Sequence, residues 1–127
     1  MVQIFYLSSV PPSVNSLYGI NYRARRPYLK PEVLAWKSKV KSEMPSLDFT
    51  VNPAADIVRV DMVFWYPWRH GNGRLRQWDA ANCHKPLIDA IAERYGWKSP
   101  ADACVKFGSW GSVDSVETKT KVTIELM

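Results

Sequence analysis

Apolar and polar positions alternate most cleanly in two stretches. Over residues 57–66, Val58, Val60, Met62, Phe64 and Tyr66 share one side while Arg59 and Asp61 take the other, the period of two expected of a half-buried strand. Over residues 118–126, Thr120, Val122, Ile124 and Leu126 oppose Lys119, Lys121, Thr123 and Glu125 in the same way. Val2–Leu7 is a short β-branched and aromatic run that predicts a first strand. Val10-Pro11-Pro12-Ser13-Val14-Asn15 stops it, because proline offers no ladder donor, and the chain to Arg26 reads as an extended loop. Pro31 suits the first turn of a helix; Val33, Leu34, Trp36, Lys37 and Val40 give that helix an apolar stripe with cationic flanks, and Met44-Pro45 ends it. Residues 68–77 form a glycine-containing basic loop. Residues 79–95 are helical by pattern, with Gly96 placed to end the helix, and residues 104–109 read as a further strand. The order strand, helix, strand, helix, strand, strand predicts an α+β fold: a mixed or antiparallel sheet covered on one face by two main helices.

Length and composition keep this picture simple. The 127 residues, 46% hydrophobic and 23% charged, describe one small domain spanning 1–127, able to bury roughly two-thirds of its unfolded surface. No apolar run approaches the ~18 residues of a membrane span, and the N-terminus lacks the layout of a signal peptide. Cys83 and Cys104 are too few for a disulfide framework and fit a reducing compartment, so a cytoplasmic location is expected.

Charge adds a candidate function. The net +5 is concentrated in residues 18–45, which carry +5, and residues 67–98, which carry +3. The first block holds Arg23, Arg25, Arg26 and Lys30; the second holds Arg69, Arg74 and Arg76, with His70 beside them. Such blocks are either solvated loops or a phosphate-binding surface. Cys83, His84, Cys104 and His70 lack the paired spacing of a zinc site. There is no glycine-rich phosphate loop and no Ser-His-Asp ordering.

The segment richest in chemistry is Trp78-Asp79-Ala80-Ala81-Asn82-Cys83-His84-Lys85-Pro86-Leu87-Ile88-Asp89-Ala90-Ile91. On a helical wheel His84, Leu87, Ile88, Ile91 and Tyr95 form a core side, and Asn82, Lys85 and Asp89 fall opposite, with Asp79 extending their line at the helix entrance. Asp79 also suits an N-cap, and Lys85 with Asp89 also reads as an i,i+4 surface pair. Pro86 cannot donate to the carbonyl of Asn82, so the helix either kinks or begins nearer Lys85.

The block Asp79-x-x-Asn82-x-x-Lys85-x-x-x-Asp89-Ala90 resembles the signature of the RusA-type Holliday junction resolvases, small endonucleases of phages and prophages. Pro11-Pro12-Ser13-x-Asn15-x-x-Tyr18 resembles the family's opening motif, Tyr28-Leu29 its second, and Asp102, following Gly96-Trp97, its distal aspartate. The resemblance runs from Pro11 to about Val105. It implies a homodimer that binds four-way DNA junctions in a bacterial host cell and cuts two strands with Mg²⁺, Mn²⁺ being a possible substitute. Asp79 and Asp102 are the implied metal ligands, with Lys85, Asn82 and Asp89 as further residues of the catalytic site. Mg²⁺ takes oxygen donors and keeps several waters, so few carboxylates suffice. The basic blocks would hold phosphates, and Trp68 or Trp78 would wedge into an opened junction.

One departure stands inside the motif. The family pattern is Asp-x-Asp-Asn, whereas this chain has Asp79-Ala80-Ala81-Asn82. Asp89 is one candidate replacement, though it lies ~15 Å from Asp79 along a continuous helix; Asp61 is another, from the polar side of its strand. The loss also admits a catalytically inactive, structure-specific DNA-binding protein of the same fold.

Overall fold

The structure is a computed structural model that describes residues 1–13, 18–21, 23–76, 80–97 and 104–127. In chain order the elements are β1 (Val2–Leu7), β2 (Tyr18–Asn21), β3 (Arg26–Leu29), α1 (Pro31–Glu43), β4 (Val58–Tyr66), a 3₁₀ turn (Ala80–Cys83), α2 (His84–Tyr95), β5 (Val105–Asp114) and β6 (Lys119–Leu126).

The main sheet has the order β1-β6-β4-β5. β4 pairs in parallel with β5 and antiparallel with β6, and β6 pairs antiparallel with β1. The sheet is therefore mixed, and the single parallel pair demands a crossover, supplied by the 3₁₀ turn and α2. The alternation read from the sequence decides which side is buried. Val58, Val60, Met62 and Phe64 on β4, and Thr120, Val122 and Ile124 on β6, are at most 1% exposed. Leu87, Ile88 and Ile91 of α2 and Val40 of α1 join them in one core. Lys37 and Lys41 of α1 both reach Glu93 of α2, at 2.9 and 3.2 Å, part-exposed pairs of the kind worth at most about 1 kcal/mol each. Leu34 leaves the expected stripe of α1 and is 49% exposed.

The expected loop before Arg26 contains structure. β2 and β3 form a separate two-stranded ribbon, Tyr18 opposite Leu29 and Asn21 opposite Arg26. Its turn places Arg25 at φ 52°, a left-handed conformation common at tight turns. Four-residue strands, one containing Pro27, carry too little alternation to be read as strands. β5 is also longer than residues 104–109, because Gly108 and Gly111 interrupt its pattern without ending its pairing to β4. Among the described residues no helix is long and apolar enough to cross a membrane.

Candidate active site

Pro86 decides how the chemistry-bearing segment winds. A helix beginning at residue 79 would need a hydrogen bond from position 86 to the carbonyl of Asn82, which proline cannot make. The chain instead takes a 3₁₀ turn over Ala80–Cys83 and starts α2 at His84, leaving Pro86 in the first turn, where no intrahelical donor is required. The single helical face expected for Asn82, Lys85 and Asp89 therefore holds only for the last two. Asn82 sits half-buried in the 3₁₀ turn. At the other end Gly96 adopts φ 77° and its N–H bonds the carbonyl of Ala92, the left-handed stop expected of it.

Lys85 Nζ lies 3.0 Å from Asp89 Oδ1, with the side chains 64% and 38% exposed. A pair so open to water stabilises the helix by only a few tenths of a kcal/mol. His84, placed on the core side of the wheel, stands at the core's margin. Its Nε2 is 3.9 Å from where a Cβ on Gly108 would be. Burial, and then the charge of Lys85, hold its pKa below the usual imidazole value. The 3₁₀ turn packs against β5. Ala80 and Cys104, the described residues flanking residues 77–79 and 98–103, are both buried in the one core. Asp79, Asp102, Asn15 and Trp78 lie outside the described residues. Among the described residues no three His, Cys, Asp or Glu side chains are grouped to hold a metal ion.

Asp61 stands apart from Lys85 and the 3₁₀ turn. The register that buries Val60 and Met62 turns Asp61 to the opposite side of the sheet, away from α2. There its carboxylate accepts hydrogen bonds from Arg59 Nε at 2.9 and 3.2 Å and from Ser109 Oγ at 2.8 Å. Burial raises its pKa, but these bonds and the Arg59 charge outweigh burial and leave it lowered. Asp61 thus lies on the side of the sheet opposite the 3₁₀ turn and Lys85.

The second basic block is a small hairpin rather than an open loop. Arg69 bridges to Leu75, Arg76 N–H donates to the Trp68 carbonyl at 2.7 Å, and Gly73 at φ 83° closes the turn. Arg69 Nη1 donates to the Gly73 carbonyl. The Arg74 and Arg76 side chains are exposed. Asp114 Oδ1 accepts the Trp68 N–H at 3.0 Å, fastening the hairpin to the end of β5. In the first block Arg23, Arg25 and Arg26 are exposed at the turn of the β2–β3 ribbon, and Lys30 caps α1 through its carbonyl, which accepts from Val33 and Leu34. What periodicity missed here is the local strand pairing in both blocks.

A model of the family described as Endodeoxyribonuclease RusA matches residues 10–125. The match takes in β6, beyond the motif-bearing stretch. No curated protein matches the chain.

Proposed function

Because the chain belongs to the RusA endodeoxyribonuclease family, we propose that it is a Mg²⁺-dependent nuclease that resolves four-way DNA junctions by paired phosphodiester cuts, working as a homodimer. The observation that carries this reading is the crossover between β4 and β5. The residues bordering the two proposed ligands, Ala80 next to Asp79 and Cys104 two positions after Asp102, enter the same core, and the exposed ammonium of Lys85 stands one turn along.

The donor chemistry fits the ion. Asp79, Asp102 and the neighbouring Asn82 offer hard oxygens, while the thiols of Cys83 and Cys104, which favour softer metals, are sealed in the core. When bound, Mg²⁺ would polarise the scissile phosphate and lower the pKa of the attacking water. The protein's own groups do the rest. Lys85 counters the charge that builds on the phosphate during in-line displacement. Asp89, 3.0 Å away, restrains the lysine's position. Asn82 holds the geometry of the site by hydrogen bonds. Arg69, Arg74 and Arg76, together with Arg23, Arg25, Arg26 and Lys30, neutralise DNA phosphates and fix its position without reading sequence.

The direct test incubates a labelled four-way junction with the protein across a series of divalent metals. Paired symmetric cuts with Mg²⁺ or Mn²⁺ are expected. Asp79→Asn and Asp102→Asn should each lower the cutting rate by roughly a hundredfold or more while the junction is still bound. Uncut junction in every metal would overturn the reading.

Ala81 gives specific support to a second reading, binding without cleavage. It is exposed in the 3₁₀ turn, where the family pattern has its second aspartate. Salt-sensitive junction binding with no cutting, and cutting gained in Ala81→Asp, would favour it.

A further inference from the structure

Among the described strands β5 is at the sheet's edge. Its register with β4 sets which residues face the helices: Gly108 beside Val60, Trp110 beside Met62, Ser112 beside Phe64 and Asp114 beside Tyr66. Val60, Met62 and Phe64 are at most 1% exposed, yet one strand further out Trp110 is 50% exposed. Packing accounts for the hidden half of the indole and leaves the other half as a broad aromatic surface in water.

Both ends of this row are tied to the proposed DNA machinery. At its start the His84 ring lies beside Gly108, bringing the first turn of α2, with Lys85, to the strand. At its end Asp114 anchors the basic hairpin that presents Arg69 and Arg74. From Gly108 to Asp114 the row is roughly 20 Å long at about 3.3 Å per residue, with Trp110 in its first third. The strand carries two charges, Lys106 and Asp114, and the Asp114 carboxylate is engaged by the Trp68 N–H.

The same edge is poorly suited to another strand. The β4–β5 register shifts between Val58 and Arg59, so that Val58 faces Val105 while Arg59 faces Phe107, which leaves Lys106 as an extra residue. A bulge carrying a lysine is a standard defence of an edge against strand addition. The bulge hinders strand addition at the start of this edge, while Trp110 further along stays half-exposed.

We propose that Trp110 is the stacking platform for an unpaired DNA base, on a single-strand track that follows β5 from the basic hairpin to the first turn of α2. This rests on the junction-nuclease reading and adds to it the strand conformation the protein holds beside its cutting site. An aromatic platform within a cationic groove holds bases whatever their identity.

The test measures binding of a four-way junction, a linear duplex and a dT oligomer by wild type, Trp110→Ala and Trp110→Phe, without divalent metal. Trp110→Ala should weaken junction and dT binding about tenfold or more, the size of one base–aromatic stack, and leave duplex binding unchanged. Trp110→Phe should keep most of the affinity, which separates stacking from a general loss of fold. With wild type alone, 2-aminopurine at the nucleotides flanking the branch should be quenched on binding. Junction binding that is equally tight in Trp110→Ala, or 2-aminopurine that stays bright, overturns the platform and leaves the nuclease reading standing. Trp110-dependent dT binding without preference for the junction overturns the junction reading and keeps the platform. Loss of both junction and dT binding in wild type overturns both. A Trp110→Ala protein with altered oligomeric state and unaltered DNA affinity would make the edge a protein interface and the proposal wrong.

Discussion

At Gly108 a Cβ would run into the backbone carbonyl of Val60, in the middle of the most buried strand. Backbone there cannot yield as a flexible side chain would, so Gly108→Ala should destabilise the protein by about 1–3 kcal/mol. Gly111→Ala meets nothing within 4 Å and should stay within about 0.5 kcal/mol of wild type; urea unfolding of the two variants side by side checks the contrast. His84 gives a pH signature. Its folded pKa is lowered, chiefly by burial, so the neutral ring is the form the fold prefers. As pH falls through the ordinary imidazole value, near 6.5, the unfolded chain takes up a proton before the folded one does, and stability declines. His84→Gln should remove that part of the slope, seen as a flatter urea midpoint between neutral and mildly acidic pH. Lys85 with Asp89 shows the limit of residue-level reading: the spacing predicts the pair, which forms, and its purpose still depends on what approaches the ammonium.

The elements differ in how visibly the sequence announces them. β4 and β6 are plain, because one buried face forces strict alternation; β1 shows only by its β-branched and aromatic run, with Val2, Ile4 and Tyr6 exposed. The helix α1 follows from Pro31 and Met44-Pro45. The segment from Ala80 to Tyr95 is only half legible: Pro86 shows that the helix cannot run unbroken, but the choice of a 3₁₀ turn over a kink is made by packing of Ala80 and Cys83 into the core. The β2–β3 ribbon is the element that local pattern conceals, since it pairs with itself and not with the main sheet. Arg23, Arg25 and Arg26 are exposed at its turn and the start of β3. Replacing Arg23, Arg25 and Arg26 together by alanine should therefore reduce the salt dependence of DNA binding, lowering the slope by about 0.9 for each phosphate that is no longer neutralised, with thermal stability little changed. A salt titration of junction affinity measures it.

For the molecule as a whole, the sheet divides the chemistry between two sides. The helices, the 3₁₀ turn and Lys85 share one; Arg59, Asp61 and Ser109 lie on the other. Asp61→Asn should leave metal-dependent cutting unchanged. It should also weaken the protein's acid limb: a carboxylate whose folded pKa is lowered contributes stability above its unfolded value, lost as pH falls through the folded one. Acid unfolding of Asp61→Asn beside wild type, with a junction assay at neutral pH, separates the two effects. From sequence alone both Asp61 and Asp89 are candidates to replace the carboxylate missing at Ala81; the fold puts Asp61 on the side of the sheet opposite Lys85 and Asp89. The sequence by itself determined the α+β order of elements, the buried strand faces, the two basic blocks and the family motif, because each is a matter of spacing along the chain. The tertiary structure decided that Asp61 faces the side of the sheet opposite Lys85 and that an edge strand leaves Trp110 half in water. Those depend on pairing between residues far apart in sequence, which local pattern does not encode.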